Sequence, residues 1–332
     1  MGSSDDSVGA ERTGRSYHRA WGGATASRTR SPTLPGDVRA AVERAWGEVL
    51  HREVSIETVQ RVAGGCVSPS ARLVSTAGDT AFLKWGEGDV ALRMFAAEAG
   101  SLSALAEVEA VRVPAVLAAA TDEATVGWLI LEWLEPGQPT RGGWRSLGHA
   151  LARLHRTRAE RFGWQADNFI GSLPQPNAWT ADWAEFWRSR RLEPQLQRAC
   201  DRGLLDRGDR RRFDRLFDVL DSRLAVARDE GASLLHGDLW SGNVHMLKGG
   251  TAALVDPASY YGHREVDVAM TELFGGFDPA FFEAYDADWP LDTGYREGRR
   301  AIYQLYYLLV HVNLFGSGYV ASTLAALERA GC

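Results

Sequence analysis

In its C-terminal half the chain reads Leu234-Leu235-His236-Gly237-Asp238-Leu239-Trp240-Ser241-Gly242-Asn243-Val244, and a second apolar segment follows, Ala252-Ala253-Leu254-Val255-Asp256-Pro257. The spacing H-x-D-x-x-x-x-N is that of a kinase catalytic loop. Phosphoryl transfer from Mg-ATP requires a carboxylate that takes the proton of the acceptor hydroxyl, and oxygen ligands that hold the metal. The stretch therefore predicts a phosphotransferase with Asp238 as the catalytic base and with Asn243 and Asp256 as Mg²⁺ ligands.

Composition limits the classes of protein that fit. With 332 residues, 45% of them hydrophobic and 24% charged, the chain is long enough for two lobes with a sizeable core. A net charge of -6 disfavours a nucleic-acid or anionic-membrane partner. The N-terminus has no apolar signal-peptide region, and the three cysteines are widely spaced, at Cys66, Cys200 and Cys332. We therefore expect a cytoplasmic, reducing location.

Lysine usage supplies an independent indication of a nucleotide site. The chain has only two lysines, Lys84 and Lys248, and its other basic residues are arginines. Lys84 lies in the apolar run 80–85, where a compact ammonium can contact phosphates in a way that arginine does not reproduce. With Glu98 on the following helical segment, it is the expected ion pair that positions the α- and β-phosphates.

Patterning along the chain predicts an α+β protein with a two-lobed, protein-kinase-like fold. Residues 1–34 lack apolar periodicity and are expected to be disordered. Residues 35–134 contain a first helix with Asp37 as its N-cap, then five short strands with one helix across the sheet, a small nucleotide-binding lobe. Residues 135–332 are mainly helical and form the catalytic and substrate-binding lobe.

Longer motifs resemble the fructosamine (ketosamine) kinase family, within the aminoglycoside-phosphotransferase-like branch of the kinase fold. The resemblance covers roughly residues 35–325. It is carried by Gly64-Gly65-Cys66-Val67-Ser68, Phe82-Leu83-Lys84, Met94-Phe95 with Glu98, Pro174-Gln175-Pro176-Asn177, Arg191-Leu192-Glu193-Pro194-Gln195, His236 to Asn243, Asp256-Pro257-Ala258, Tyr261-Gly262-His263-Arg264-Glu265, and Tyr303-Gln304-Leu305-Tyr306.

The resemblance implies transfer of the γ-phosphoryl group of ATP to the sugar 3-hydroxyl of a glycated amine, whose product then decomposes and frees the amine. Backbone N–H groups of Gly64, Gly65 and Cys66 would cover the phosphates. The family also suggests a redox-sensitive thiol at Cys66, although a plain small residue is an equal alternative.

Other candidate roles follow from position in the chain. Glu132, Trp133 and Leu134 are expected to form the hinge, with backbone groups that face adenine. Trp240 and His263 are candidates for lining the sugar pocket, because an aromatic face packs on sugar C–H groups, although structural packing is an equal alternative.

Three further residues are expected to be structural. His236 and Asp267 should hold the backbone of the catalytic loop, and His155 should be a satisfied core residue.

The motifs also indicate which kind of kinase this is. Gly237 replaces the arginine of an H-R-D loop, and Asp267 follows Asp256 by only 11 residues, which leaves no room for a peptide-binding activation segment. No P-loop motif is present. We therefore expect a small or protruding hydroxyl as acceptor. A kinase of another small alcohol, such as an aminoglycoside or amino alcohol, and an inactive nucleotide-binding module are the alternatives, and the intact catalytic set argues against the last.

Overall fold

A computed structural model describes residues 34–62, 68–121 and 124–331 of the chain. Gly64, Gly65 and Cys66, the predicted loop over the phosphates, lie outside the described residues, as does nearly all of the predicted N-terminal tail. Leu34, which we counted with that tail, is buried in the core of the N-terminal lobe.

The N-terminal lobe is built on a five-stranded antiparallel sheet with the order β1-β2-β3-β5-β4. The strands are β1 Ile56–Arg61, β2 Ser70–Ser75, β3 Thr80–Glu87, β4 Val116–Ala119 and β5 Val126–Glu132. In β3, Ala81 and Leu83 face one core, whereas Phe82 faces the other. Alternation of side chains therefore places Lys84 on the Phe82 face of the central strand.

Two helices cover this sheet, where the sequence predicted one across it. The predicted helix is α2, Gly88–Glu107, which packs Phe95 and Leu102 on the Phe82 face. The first helix, α1, Gly36–Leu50, covers the opposite face with Val38, Val42 and Trp46. Its apolar residues recur at a spacing of four, so one stripe of the helix is buried.

The start of α1 also differs from our prediction. Pro35 occupies the N-cap position, and no side chain caps the helix. Asp37 lies in the first turn and accepts a hydrogen bond from Val38 N at 2.9 Å. An acidic residue there still favours the helix through its dipole.

The C-terminal lobe is mainly helical. Its helices are α3 Arg141–Leu154, α4 Trp183–Phe186, α5 Glu193–Asp201, α6 Arg207–Arg223, α7 Val226–Glu230, α8 Glu265–Leu273, α9 Pro279–Asp288, α10 Arg300–Phe315 and α11 Val320–Arg329. π-Helical turns at Trp187–Leu192 and Tyr295–Arg299 lead into α5 and α10. Most of α10 is buried, so this helix forms the centre of the lobe.

Short strands connect these helices and carry the catalytic segments. Strands β12 Tyr260–Gly262, β9 Ala232–Leu235 and β6 Arg158–Ala159 form a three-stranded sheet, and two hairpins pair β7 Asn168–Ile170 with β8 Leu173–Gln175 and β10 Val244–Met246 with β11 Ala252–Leu254. The predicted α+β class and two-lobed kinase-like architecture are confirmed. None of the helices in the described ranges has the length and apolar character that crossing a bilayer requires.

Candidate active site

The catalytic loop begins where the buried strand β9 ends. A 3-10 turn, Ser241–Asn243, closes the loop, and the β10–β11 hairpin follows. Because Val244 pairs with Leu254 in that hairpin, Val255 N donates to Asn243 O at 3.0 Å. The interval between Asn243 and Asp256 is thus a strand, a turn and a strand that bring the two residues together, as the sequence predicted.

Side chains behind the loop fix its backbone. Asp267, at the start of α8, accepts from His236 N at 2.7 Å and from Gly237 N at 2.9 Å. Tyr307 donates its hydroxyl to Gly237 O at 2.8 Å. The predicted bracing role of Asp267 is confirmed.

Two histidines complete this support: His236 was predicted to hold the loop, and His155 was predicted to be a satisfied core residue. His236 accepts from Asp238 N at Nδ1 and places Nε2 3.0 Å from Val255 O, which makes Nε2 the protonated nitrogen. His155 is completely buried between Tyr285 and Asp267, at 2.8 and 3.2 Å. Burial lowers the pKa of His155, so it is neutral at physiological pH.

Lys84 joins the two lobes. Its Nζ lies 2.7 Å from Glu98 Oε1 and 2.7 Å from Asp256 Oδ1. Burial alone would lower the pKa of Lys84, but the two carboxylates outweigh it and raise the pKa above its ordinary value. Burial also raises the pKa of Glu98, and the ammonium of Lys84 opposes that change. The cation therefore stays charged between the carboxylates.

Asp238 and Asn243 face each other across the loop. Asn243 Nδ2 donates to Asp238 O at 2.8 Å and to Asp238 Oδ2 at 3.2 Å. Because both partners are acceptors, Nδ2 must face them, and Oδ1 is the amide atom left for another ligand. Burial, followed by the charge of Asp256, raises the pKa of Asp238 to about 7, and the hydrogen bond from Asn243 opposes that shift.

These residues suit a bound cation. The charge of Asp256 makes it costly for Asp238 to ionise, and a divalent ion would remove that penalty. Asp256 has φ +56°, a left-handed conformation uncommon outside glycine, which marks a constrained position. The described residues contain no cluster of three or more His, Cys, Asp or Glu side chains that could hold a metal. An ion here would thus take ligands from Asn243, Asp256 and the nucleotide phosphates.

A cavity of about 1530 Å³ opens between the lobes. Lys84, Glu98, Asp238, Asn243 and Asp256 all line it, so the predicted Lys84–Glu98 ion pair shares one space with the predicted base and the predicted metal ligands. The contact between Lys84 and Asp256 links residues that are 172 positions apart in the chain. This is the arrangement that the sequence hypothesis required.

One side of the cavity, beyond Asp238, is an aromatic wall formed by Trp240, Phe274, His311, Phe315 and Tyr319. The ring centroids of Phe274, Phe315 and Tyr319 lie 4.7, 5.4 and 4.9 Å from that of His311. Burial lowers the pKa of His311, so the wall is uncharged at neutral pH. Among the described lining residues, the only carboxylates are those of Glu98, Asp238 and Asp256.

The predicted hinge residues lie beside the cavity without being among its described lining residues. Glu132 forms an ion pair with Arg112, and Leu134 O lies 3.1 Å from His245 Nε2. Trp133 packs its ring 6.5 Å from Phe82, which does line the cavity. The structure thus places 132–134 next to the cavity, and their role at the adenine stays a prediction.

His263 is placed away from the cavity, contrary to its predicted role in the sugar pocket. It is completely buried, with Nδ1 2.7 Å from the hydroxyl of Tyr303 and Nε2 2.8 Å from Glu230 Oε2. Both ring nitrogens are therefore used inside the lobe. The alternative reading, structural packing, fits this position.

Sequence reasoning missed several residues of the site. Asn168 and four members of the aromatic wall, Phe274, His311, Phe315 and Tyr319, line the cavity, and Tyr307 both lines it and holds Gly237. They come from three segments that are distant in sequence, at residue 168, at residue 274 and in the range 307–319. A hint was present in α10, where His311 is one of three polar residues, with Gln304 and Asn313, that interrupt the apolar run 301–315.

A two-lobed kinase fold, with a strand lysine, a loop aspartate and the Asn243–Asp256 pair in the interlobe cleft, defines a kinase-like phosphotransferase. A model of the fructosamine kinase family matches residues 38–330. The chain belongs to the fructosamine kinase family.

Relatives cover most of the chain. A protein named probable ketoamine kinase from Synechocystis is 40% identical over 82% of this chain and 90% of its own length. A chloroplastic protein-ribulosamine 3-kinase from Oryza sativa is 36% identical over 86% of this chain and 82% of its own.

Solved structures agree with the fold. A crystal structure assigned provisionally to fructosamine-3-kinase, from Thermobifida fusca, is 34% identical with a TM-score of 0.77, and the match covers 87% of this chain and 98% of that one. Aminoglycoside phosphotransferase APH(4)-Ia, at 15% identity and a TM-score of 0.57 over 88% of this chain and 99% of that one, shares the fold.

Proposed function

We propose that this chain transfers the γ-phosphoryl group of ATP to a sugar hydroxyl, the 3-hydroxyl, of ketosamines and so promotes deglycation. The observation that carries the proposal is the position of Lys84, 2.7 Å from both Glu98 and Asp256, in the cavity that also contains Asp238 and Asn243. Membership of the fructosamine kinase family supports the substrate class.

Each residue has a distinct task in this proposal. Asp238 takes the proton of the acceptor hydroxyl, and its carboxylate lines the same cavity as the proposed metal ligands. Lys84 directs two of its three donors to Glu98 and Asp256, which leaves the third for a nucleotide phosphate. Asn243 Oδ1 and Asp256 provide hard oxygen ligands for Mg²⁺. When bound, Mg²⁺ neutralises charge that develops on the phosphates.

The remaining nucleotide contacts are inferred from position in the chain. Backbone N–H groups of Gly64, Gly65 and Cys66 would cover the phosphates, and backbone groups of Glu132, Trp133 and Leu134 would face the adenine. A cytoplasmic location stays a prediction from the cysteine spacing.

The aromatic wall supports a ketosamine over a polycation as acceptor. Trp240 and Phe274 line the cavity, and aromatic rings can pack on sugar C–H groups and on the single ammonium of a glycated amine. Binding of an aminoglycoside, which carries several ammonium groups, would call for several carboxylates. The described wall contains none, and the three carboxylates of the cavity are assigned to the nucleotide side or the transferred proton.

The test is ADP formation by the purified chain with 1-deoxy-1-morpholinofructose and with a panel of aminoglycosides. We expect turnover of the ketosamine only. The Asp238→Asn variant should lose activity by about 10²–10⁴-fold, because the proton acceptor is removed.

Other outcomes would contradict the proposal in different ways. Turnover of aminoglycosides without the ketosamine would assign a different acceptor class. Thermal stabilisation by Mg-ATP without any turnover would indicate a nucleotide-binding module. Retained activity in Asp238→Asn would remove the assigned base.

A further inference from the structure

A buried cluster of polar side chains lies behind the metal-binding segment and has no part in the roles assigned above. We call it the amide network, and its members are Asn168, Gln175, Asn177 and Arg191. The exposed fraction is 4% or less for each of them. Such a cluster requires a physical explanation, because buried polar groups are costly unless every one is paired.

The amide network binds the backbone that follows Asp256. Asn168 Nδ2 donates to Ser259 O at 2.9 Å, and Gln175 Nε2 lies 3.2 Å from Ala258 O. Gln175 Nε2 also donates to Asn168 Oδ1 at 2.7 Å. Two amides from the β7–β8 hairpin therefore hold consecutive carbonyls of one segment.

Arg191 determines the orientation of these amides. A guanidinium only donates, so its contact at 2.7 Å requires Oδ1 of Asn177 to face it. Asn177 Nδ2 then donates to Asn168 Oδ1 at 2.8 Å, which leaves Asn168 Nδ2 for Ser259 O. The hydroxyl of Tyr306 donates to Gln175 Oε1 at 2.7 Å and fixes that amide in the same way.

The position of Arg191 is unusual for a cation. It is completely buried, and it forms no ion pair with a carboxylate of the described residues. Its partners include Pro176 O at 2.6 Å, Asn177, and the ring faces of Tyr260 and Phe186 at 4.0 and 4.6 Å. Carbonyls and aromatic faces thus offset the burial of charge. A buried charge is weak evidence that the group stabilises the folded protein. Its role can instead be to hold neighbouring groups in one arrangement.

The segment held by the amide network is mechanically linked to both halves of the site. Asp256 adopts its left-handed conformation two residues before Ala258. Ala258 N donates to His236 O at 2.9 Å, and Ala258 O lies only 2.1 Å from where a Cβ on Gly237 would be. A shift of Ala258 would therefore move the metal-binding residue and the catalytic loop together.

We propose that Asn168 and Gln175 are positioning residues that hold Asp256 in its metal-binding conformation, and that Arg191 orients them through Asn177. In kinases that are switched by phosphorylation, the corresponding segment orders and disorders. Here the amide network fixes it permanently. The metal-binding part of this inference rests on the proposed function, whereas the rigidity of the segment does not.

The test compares Gln175→Met with a matched control, Gln195→Met. Gln195 is equally buried, and its Oε1 accepts from Asn313 at 2.9 Å without contacting the segment. The first readout is hydrogen–deuterium exchange of residues 255–259 in the nucleotide-free protein. The second is the Mg²⁺ concentration that gives half of the thermal stabilisation by ATP.

For Gln175→Met we expect at least about tenfold faster exchange of the Ala258 amide, since loss of the one hydrogen bond from Gln175 to the segment, the bond to Ala258 O, alone shifts a local opening equilibrium by about that factor. The half-saturating Mg²⁺ concentration should rise several-fold, with unchanged stabilisation by ATP in EDTA. Gln195→Met should lower the Tm but change neither readout. Tyr306→Phe, which removes only the hydroxyl that orients Gln175, should act in the same direction to a smaller extent.

The inference is overturned if Gln175→Met and Tyr306→Phe leave exchange of 255–259 and the Mg²⁺ dependence at wild-type values. It is also overturned if Gln195→Met changes both readouts equally. Neither the exchange measurement nor the Mg²⁺ titration needs a sugar acceptor. If the wild type does not turn over a ketosamine, the proposed function is contradicted, but this inference still stands.

Discussion

At the scale of single residues, the site is defined by an excess of negative charge around one ammonium. Asp238, Asp256 and Glu98 line the same cavity as Lys84, and Asp267 lies behind the loop. Burial and the charge of Asp256 raise the pKa of Asp238 to about 7. In the empty site this residue therefore destabilises the folded protein whenever it is ionised, a cost that active sites commonly carry.

We predict that Asp238→Asn stabilises the nucleotide-free, metal-free protein in a pH-dependent way. Between its ordinary pKa and pH 7 the folded state keeps the proton that the unfolded state releases, so wild-type stability falls as pH rises through this window. The free energy of unfolding of the variant should exceed that of the wild type by on the order of 2–4 kcal/mol at pH 8, and the two should be nearly equal near pH 4. Thermal unfolding in EDTA at several pH values measures this gain. Equal Tm values of the wild type and the variant at pH 8 would show that ionised Asp238 does not destabilise the folded protein.

Residue type and spacing were enough to find the residues that carry charge. Asp238, Asn243 and Asp256 lie within a segment of 19 residues, so a short-range pattern specifies them. Lys84 was recognisable because ammonium chemistry is distinctive in a chain with two lysines. Aromatic residues gave no such indication. Trp240 lines the cavity and His263 does not, because burial depends on packing between segments that are distant in sequence.

At the scale of elements, the catalytic loop depends on a glycine. Gly237 has φ +84°, and a Cβ there would lie 2.1 Å from Ala258 O. The arginine of an H-R-D loop could not occupy this position while the segment after Asp256 packs so closely. Close packing of Ala258 against Gly237 therefore explains both why no arginine occupies position 237 and why the segment after Asp256 is held in place.

We predict that Gly237→Ala destabilises the protein by more than backbone conformation alone accounts for. Gly203→Ala is the matched control, since Gly203 has φ +67° and open space around it. The free energy of unfolding of the control should fall by about 1–2 kcal/mol, the usual cost of an alanine in the left-handed conformation. Gly237→Ala should lose about 2 kcal/mol more, because a backbone carbonyl must move. Urea unfolding compares the two, and equal losses would contradict the packing argument.

Elements could be predicted where a repeating pattern defined them. The five strands and α2 follow from apolar alternation and periodicity. The helical period that runs through residues 210–227 of the sequence is divided in the structure into α6 and α7, and the one through residues 183–192 changes from α-helical to π-helical at Trp187. In both places the helix changes so that its side chains can pack against other segments. Local helix propensity carries no information on that packing. The buried Arg191 lies in that π-helical turn.

At the scale of the whole molecule, a buried ionic cluster ties together distant parts of the helical lobe. Glu230, at the end of α7, accepts from His263 and from Arg264 at 2.8 Å. Arg264 also donates to Pro290 O and stacks 4.3 Å from the ring of Trp289. Burial would raise the pKa of Glu230, but these hydrogen bonds outweigh it and lower the pKa to about 2.

We predict that Glu230→Gln loses stability only where the carboxylate is ionised. A lowered pKa contributes stability that is present above the ordinary value of 4.5 and is lost as pH falls towards 2. The free energy of unfolding of the variant should be about 2–3 kcal/mol lower than that of the wild type at pH 7. This difference should narrow as the pH falls below 4.5. Glu283→Gln, in an exposed ion pair, should change stability by less than about 0.5 kcal/mol. An unchanging deficit across this pH range would contradict the ionic account.

Lobe architecture was predictable because each lobe has its own composition and periodicity, one strand-rich and one helical. Contacts between the lobes could not be predicted, apart from the approach of Lys84 to Asp256 that a shared Mg-ATP site requires. The shape of the acceptor side depends on how α8, α10 and α11 pack, and no pattern within any one of them specifies it.

The most direct test of the central claim is the position of the phosphate in the product. Wild-type protein would be incubated with Mg-ATP and 1-deoxy-1-morpholinofructose, and the product analysed by correlated ¹H–³¹P NMR. The account predicts a phosphorus coupled to the hydrogen on carbon 3 of the sugar. Absence of a phosphorylated sugar, or coupling to a different carbon's hydrogen, would contradict it.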